Sequence, residues 1–72
     1  MIKINGKNSS EVKGMTVKEY LLSHKYKLTL IAVELNGNIL PKSQYETYVI
    51  SENDTLEIVS FVGGGWYDIR RI

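Results

Sequence analysis

Apolar and polar positions change their period several times along this chain, and each change marks an element. Met1 to Ile4 alternate, the period of a half-buried strand, and then meet Asn5-Gly6, a dipeptide that favours a tight hairpin turn. Lys7 to Val12 has few apolar residues and reads as an exposed return strand, which Gly14 breaks. Thr16-Val17-Lys18-Glu19 spells a capping box, in which hydroxyl and carboxylate satisfy orphan amides at a helix start. Val17, Tyr20, Leu21 and His24 follow at helical spacing, so a short amphipathic helix is predicted from Val17 to His24. Leu28 to Leu35 is rich in β-branched residues and reads as the strongest strand. Asn36-Gly37-Asn38 supplies a second hairpin turn, and Ile39-Leu40 begin a return that Pro41 interrupts by removing a ladder donor.

Beyond Pro41 the signals weaken. Lys42 to Glu46 is polar and reads as a loop or a single helical turn, Thr47 to Ile50 as a brief edge strand, and Ser51 to Asp54 as a turn cluster. The final strand, Thr55 to Val62, puts Leu56, Ile58, Ser60 and Val62 on one face, and Glu57, Val59 and Phe61 on the other. One helix against a mixed sheet of four or five strands is an α+β roll. A right-handed crossover through the helix would set Ile31–Leu35 parallel to Met1–Ile4, with the final strand near the sheet centre.

Composition narrows the function. Seventy-two residues make one domain near the lower limit for unaided folding, with little room for an enclosed active site. Net charge is +1 with the signs interspersed, so the basic stripe of a nucleic-acid binder is missing. The chain has no cysteine, which excludes disulfides, thiolate catalysis and cysteine-based metal sites. The opening residues read directly into a strand rather than a signal peptide, and no apolar run approaches the roughly 20 residues of a membrane span. The expectation is a soluble cytoplasmic domain that binds neither nucleic acid nor membrane.

The chemistry points to Phe61-Val62-Gly63-Gly64-Gly65. Three consecutive glycines contribute no packing and lose the most backbone freedom when ordered, so they suit a tail that must enter a narrow slot. The order of elements, with Ile31-Ala32-Val33-Glu34-Leu35-Asn36-Gly37, Ile39-Leu40-Pro41, Asp54-Thr55-Leu56-Glu57-Ile58-Val59 and the glycine end, resembles the ThiS sulfur carriers of thiamine biosynthesis. Ile4-Asn5-Gly6 and Thr16 to Leu22 fit the same pattern, and the resemblance covers Met1 to Gly65. It implies a ubiquitin-like β-grasp roll and a carrier rather than an enzyme. In the implied cycle a ThiF-like adenylating enzyme uses ATP to activate the terminal glycine carboxylate. A sulfur donor protein converts it to a thiocarboxylate, and thiazole synthase accepts the sulfur. The resemblance makes Gly65 the site of covalent sulfur attachment and Gly63 and Gly64 the recognised tail. Val59, Phe61 and Val62 are the expected docking residues, and the carrier itself is expected to bind no cofactor or metal.

The sequence departs from that family after Gly65, dividing into a carrier domain of residues 1–65 and an extension of residues 66–72. Trp66-Tyr67-Asp68-Ile69-Arg70-Arg71-Ile72 leaves the Gly65 carboxylate tied in a peptide bond. Three explanations compete: a precursor segment removed by a processing peptidase, a product of expression or read-through, or a segment that docks on the domain or a partner. The last would make the chain an interaction module that has lost sulfur transfer, and a carrier for molybdopterin is a further alternative. A tail packed on the sheet favours the module; a tail cut at Gly65 favours the carrier. Elsewhere the residues have plain readings. His24 is expected to cap the helix C-terminus, Tyr20, Tyr45 and Tyr48 to pack at the core edge, and Lys25 and Lys27 to be solvated. Glu52, Asp54 and Glu57 read as an ordinary turn and a solvated strand face, not a cation site.

Overall fold

A computed structural model of the chain describes residues 1–61 and 69–71. Strand β1 (Lys3–Ile4) turns through Asn5-Gly6 into β2 (Lys7–Asn8), with both turn residues at positive φ (51° and 83°) as a primed hairpin turn requires. A short 3-10 turn, Ser10–Val12, then buries Val12 under the sheet. Helix α1 (Val17–Ser23) starts at the predicted capping box. The Glu19 amide donates to Thr16 Oγ1 at 3.1 Å, and the Thr16 amide donates to Glu19 Oε1 at 2.8 Å. Val17, Tyr20 and Leu21 form its buried stripe.

Strand β3 (Ile31–Leu35) follows, then β4 (Asn38–Ile39) through a second Asn-Gly turn at φ 51° and 90°. Strand β5 (Thr55–Phe61) runs through the middle of the sheet, whose order is β2-β1-β5-β3-β4. Strand β6 (Ile69–Arg71) pairs with β5 as well. The inner face packs Ile2, Ile4, Ile31, Val33, Leu56 and Ile58 against the helix, and Tyr45 and Ile50 close the core from the long connection.

Four expectations change. Residues Ile31–Leu35 do not lie parallel to β1: β5 is the parallel partner of β1 and is antiparallel to β3, so β3 runs opposite to β1. The reversal at Lys25–Leu30 sends the chain back before β3 begins. That reversal also takes Leu28–Leu30 out of the predicted strand. Lys25 sits at φ 62°, the Tyr26 amide returns to the Leu21 carbonyl at 3.0 Å, and Leu28–Leu30 forms a 3-10 turn. The predicted return strand Lys7–Val12 shrinks to two residues because Val12 turns inward to the core. Thr47–Ile50 is not an edge strand; its one ladder contact is an isolated bridge between Val49 and Thr16.

Candidate functional site

Everything the glycine tail needs from the fold arrives through β5, and two asparagines hold that strand from opposite edges. On one side β1 ends at Ile4, opposite Leu56. Asn5 then extends the ladder. Its amide donates to the Leu56 carbonyl at 2.9 Å, and its Oδ1 accepts from the Ile58 amide at 2.8 Å. On the other side Asn36 grips the start of the strand. Its Oδ1 accepts from the Thr55 amide at 2.8 Å, its amide donates to the Thr55 carbonyl at 2.8 Å, and its Nδ2 donates to Asp54 Oδ1 at 3.0 Å. Both asparagines occupy the first position of an Asn-Gly turn, so one residue type sets the turn and clamps the strand beside it.

Asp54 is the hub below that clamp. It is 6% exposed and accepts from Asn36, from the Tyr48 hydroxyl at 2.8 Å and from the Ser51 amide at 2.9 Å. Burial alone would push its carboxyl up; the hydrogen bonds from Asn36, Ser51 and Tyr48 outweigh that and hold it below the ordinary carboxylate range. The reading of Asp54 as a solvated turn residue is therefore wrong. Its charge is buried because three donors converge on it.

Val59 lies half-buried on the sheet face away from the core residues Leu56 and Ile58. There it sits opposite Ala32 across β3, and one pair along are Glu34 and Glu57. Phe61 is placed by backbone register alone, opposite Ile69 of β6. Val62, Gly63, Gly64 and Gly65 lie outside the described residues, as do 66–68 and Ile72. The structure thus supplies the base of the expected tail and one of its three expected docking residues with a described side chain.

A groove of about 410 Å³ opens at the other end of the helix, lined by Asn5, Asn8, Glu11, Tyr20, His24 and Tyr26 among others. His24 is the C-cap of α1, with Nδ1 3.1 Å from the Tyr20 carbonyl and 3.0 Å from Ser23 Oγ. Its ring lies 4.3 Å from that of Tyr20. Burial, then the neighbouring Tyr26 hydroxyl and Glu11, push the Tyr20 phenol up to about 12. These contacts fix the helix end and provide no activated nucleophile. Among the described residues, no group of three His, Cys, Asp or Glu side chains could hold a metal ion.

The clamp on β5 was missed in the sequence because its bonds span 19 and 53 residues. The available signal was the pair of Asn-Gly turns, since Asn rather than Asp or Gly at both first positions leaves an amide free to serve a neighbouring strand.

Known proteins match both the sequence and the shape. The sequence model of the ThiS family matches residues 2–65. The sulfur carrier protein ThiS of Bacillus subtilis (strain 168) is 35% identical over 66 residues, covering 90% of this chain and 100% of that protein. A thiazole synthase of Paramagnetospirillum magneticum is 40% identical over 62 residues, 86% of this chain. The chain spans only 19% of that relative's length. The crystal structure of the thiamine biosynthesis protein ThiS from Geobacter metallireducens superposes with a TM-score of 0.71 at 25% identity, covering 89% of this chain and 97% of that one. With the match running from Ile2 to the third glycine, and the Bacillus carrier covered end to end, this chain belongs to the ThiS family.

Proposed function

We propose that this chain is a sulfur carrier for thiamine thiazole synthesis, acting through the Gly65 carboxylate after residues 66–72 are removed. The observation that carries this reading is the extent of the family match, which ends at Gly65 with the extension beyond it. Water and a processing peptidase split the Gly65–Trp66 peptide bond, giving the Gly65 carboxylate and the Trp66 ammonium. A ThiF-like adenylating enzyme joins that carboxylate to AMP and releases pyrophosphate from ATP. Sulfide from a sulfur donor protein displaces AMP and leaves a thiocarboxylate, whose sulfur passes to thiazole synthase. A chain without cysteine has no thiol to carry sulfur, so an acyl group at the end of a narrow tail is the chemically available holder.

The carrier contributes geometry rather than catalysis. The clamps at Asn5 and Asn36 fix β5, so the tail leaves a rigid base. Gly63 and Gly64 let it enter a slot too narrow for a Cβ. Val59, Phe61 and Val62 form the docking side next to that tail. ATP is consumed by the partner, and the carrier itself binds no cofactor or metal. No described helix is long and apolar enough to cross a membrane, and the proposed partners place the chain in the cytoplasm.

The test is to incubate a chain ending at Gly65 with a ThiF-like enzyme, ATP and a sulfide source. Exchange of one carboxylate oxygen for sulfur, read by intact mass, is expected; an unchanged mass with an enzyme that activates a known ThiS contradicts the proposal. A second reading has its own support. Strand β6 pairs with β5, which is what an interaction module using its extension would show. That reading predicts that residues 66–72 are never removed.

A further inference from the structure

Every backbone group on one edge of β5 has an identifiable neighbour, and the last of them is supplied by the extension. The Asp54 carbonyl accepts from the Lys3 amide at 3.0 Å, the Leu56 carbonyl from the Asn5 amide, and the Ile58 amide donates to the Asn5 side chain. Backbone groups alternate between the two edges of a strand, so Ser60 is the next residue to face this side. β1 has already turned away at Asn5-Gly6. β6 takes its place, running antiparallel, with Arg71 opposite Val59, Arg70 opposite Ser60 and Ile69 opposite Phe61.

We propose that Ile69–Arg71 is a self-complementing strand that keeps this edge closed while Gly65 is peptide-bonded. Hydrolysis after Gly65 then opens the edge to an extended strand of the adenylating enzyme. This inference rests on the carrier reading. Unpaired edge backbone is a template for a strand from another chain, and strand addition at such an edge is a recurrent recognition mode. The edge here is short, antiparallel in register and adjacent to the tail, so a partner strand seated on it would hold the tail at a fixed distance from its own active site.

Connectivity makes the closure reversible by a single cut. Seven residues, 62–68, link Phe61 to Ile69, and the Gly65–Trp66 bond is at their midpoint in sequence. While the link is intact, β6 faces its edge at an effective concentration on the order of millimolar. After hydrolysis the heptapeptide 66–72 is held by three residue pairs alone and dilutes into solution. Pairing of the extension to the sheet is therefore compatible with a carrier, and it gives the uncut chain a steric block besides the chemical one.

Amide hydrogen exchange at Ser60 reads the edge directly. Three proteins are compared: the full chain, the full chain with Arg70→Pro, and the chain ending at Gly65. Arg70→Pro removes the ladder donor opposite Ser60 and leaves the glycines untouched. Ser60 is expected to be protected in the full chain and to exchange roughly tenfold faster or more in the other two. Ile58, held by Asn5, and Val59, which faces β3, stay unchanged and report an intact fold. Adding a ThiF-like enzyme without ATP to the chain ending at Gly65 should restore protection at Ser60. Equal exchange at Ser60 in the full and shortened chains overturns the closure. Enzyme binding that protects other amides but not Ser60 overturns the edge as the docking strand. Failure of the shortened chain to be adenylated counts against the carrier reading alone, because the closure is read without ATP.

Discussion

Replacing Asp54 by Asn removes one charge and one acceptor while keeping the side-chain shape. In the native network Oδ2 accepts from both the Tyr48 hydroxyl and the Ser51 amide, and Oδ1 accepts from Asn36 Nδ2. An Asn at this position does best to keep its oxygen toward Tyr48 and Ser51, which turns its own NH2 toward the NH2 of Asn36. Asn36 cannot flip to accept, because its Oδ1 already serves the Thr55 amide. One buried donor is left without an acceptor, a cost of about 1–3 kcal/mol. A core of this size yields only about 3–5 kcal/mol, so Asp54→Asn should remove a third or more of the stability.

The structure also specifies the rescue. Asn36→Asp alone sets two carboxylates 3.0 Å apart and destabilises, whereas Asp54→Asn with Asn36→Asp restores a donor–acceptor pair and still accepts from Thr55. Thermal unfolding of the four proteins by circular dichroism measures the cycle, with roughly 4–8 °C expected per kcal/mol at this size. The double variant should melt well above the sum of the two losses. Additive losses would refute the assigned network. The pH dependence has a definite sign. A carboxyl held low in the folded state stabilises above its unfolded value of about 3.9, and that share is lost as pH falls through the lower folded value. Acid destabilisation below about pH 4 should therefore be shallower in Asp54→Asn than in the native chain.

Three further outcomes follow from the geometry. Asn5→Gly keeps the positive φ of the turn but orphans the Ile58 amide; a loss of about 1–3 kcal/mol in urea unfolding with faster Ile58 exchange is expected, and unchanged Ile58 exchange would contradict the clamp. Thr16→Ala removes the helix cap and should cost about 0.5–2 kcal/mol in the same assay, and a neutral result would mean that the cap contributes nothing here. Val59→Asp should weaken binding to the ThiF-like enzyme without changing the circular dichroism spectrum; an unaltered affinity would remove the Val59 face from the docking surface.

Local signals carried much of this fold. Asn5-Gly6, Asn36-Gly37 and Thr16 to Glu19 each encode their geometry within four residues, and the structure keeps all three. Long-range choices were not legible. Leu28–Leu30 has the composition of a strand, yet the chain must reverse there to bring β3 back beside β5, and tertiary connection overrides propensity. The order of the sheet depends on β5 entering between β1 and β3, which no window of sequence contains. Asp54 looked solvated because its neighbours Glu52 and Asn53 are; its three donors come from Asn36, Tyr48 and Ser51. The glycine tail was read from the sequence, and its residues lie outside those the structure describes.

The central claim is that Gly65 becomes a free carboxylate that carries sulfur. Intact mass of the untagged protein from its own cells tests it most directly. The account predicts a species ending at Gly65, with a fraction in which one oxygen is replaced by sulfur. Only protein that retains residues 66–72, in cells actively making thiamine, would contradict it.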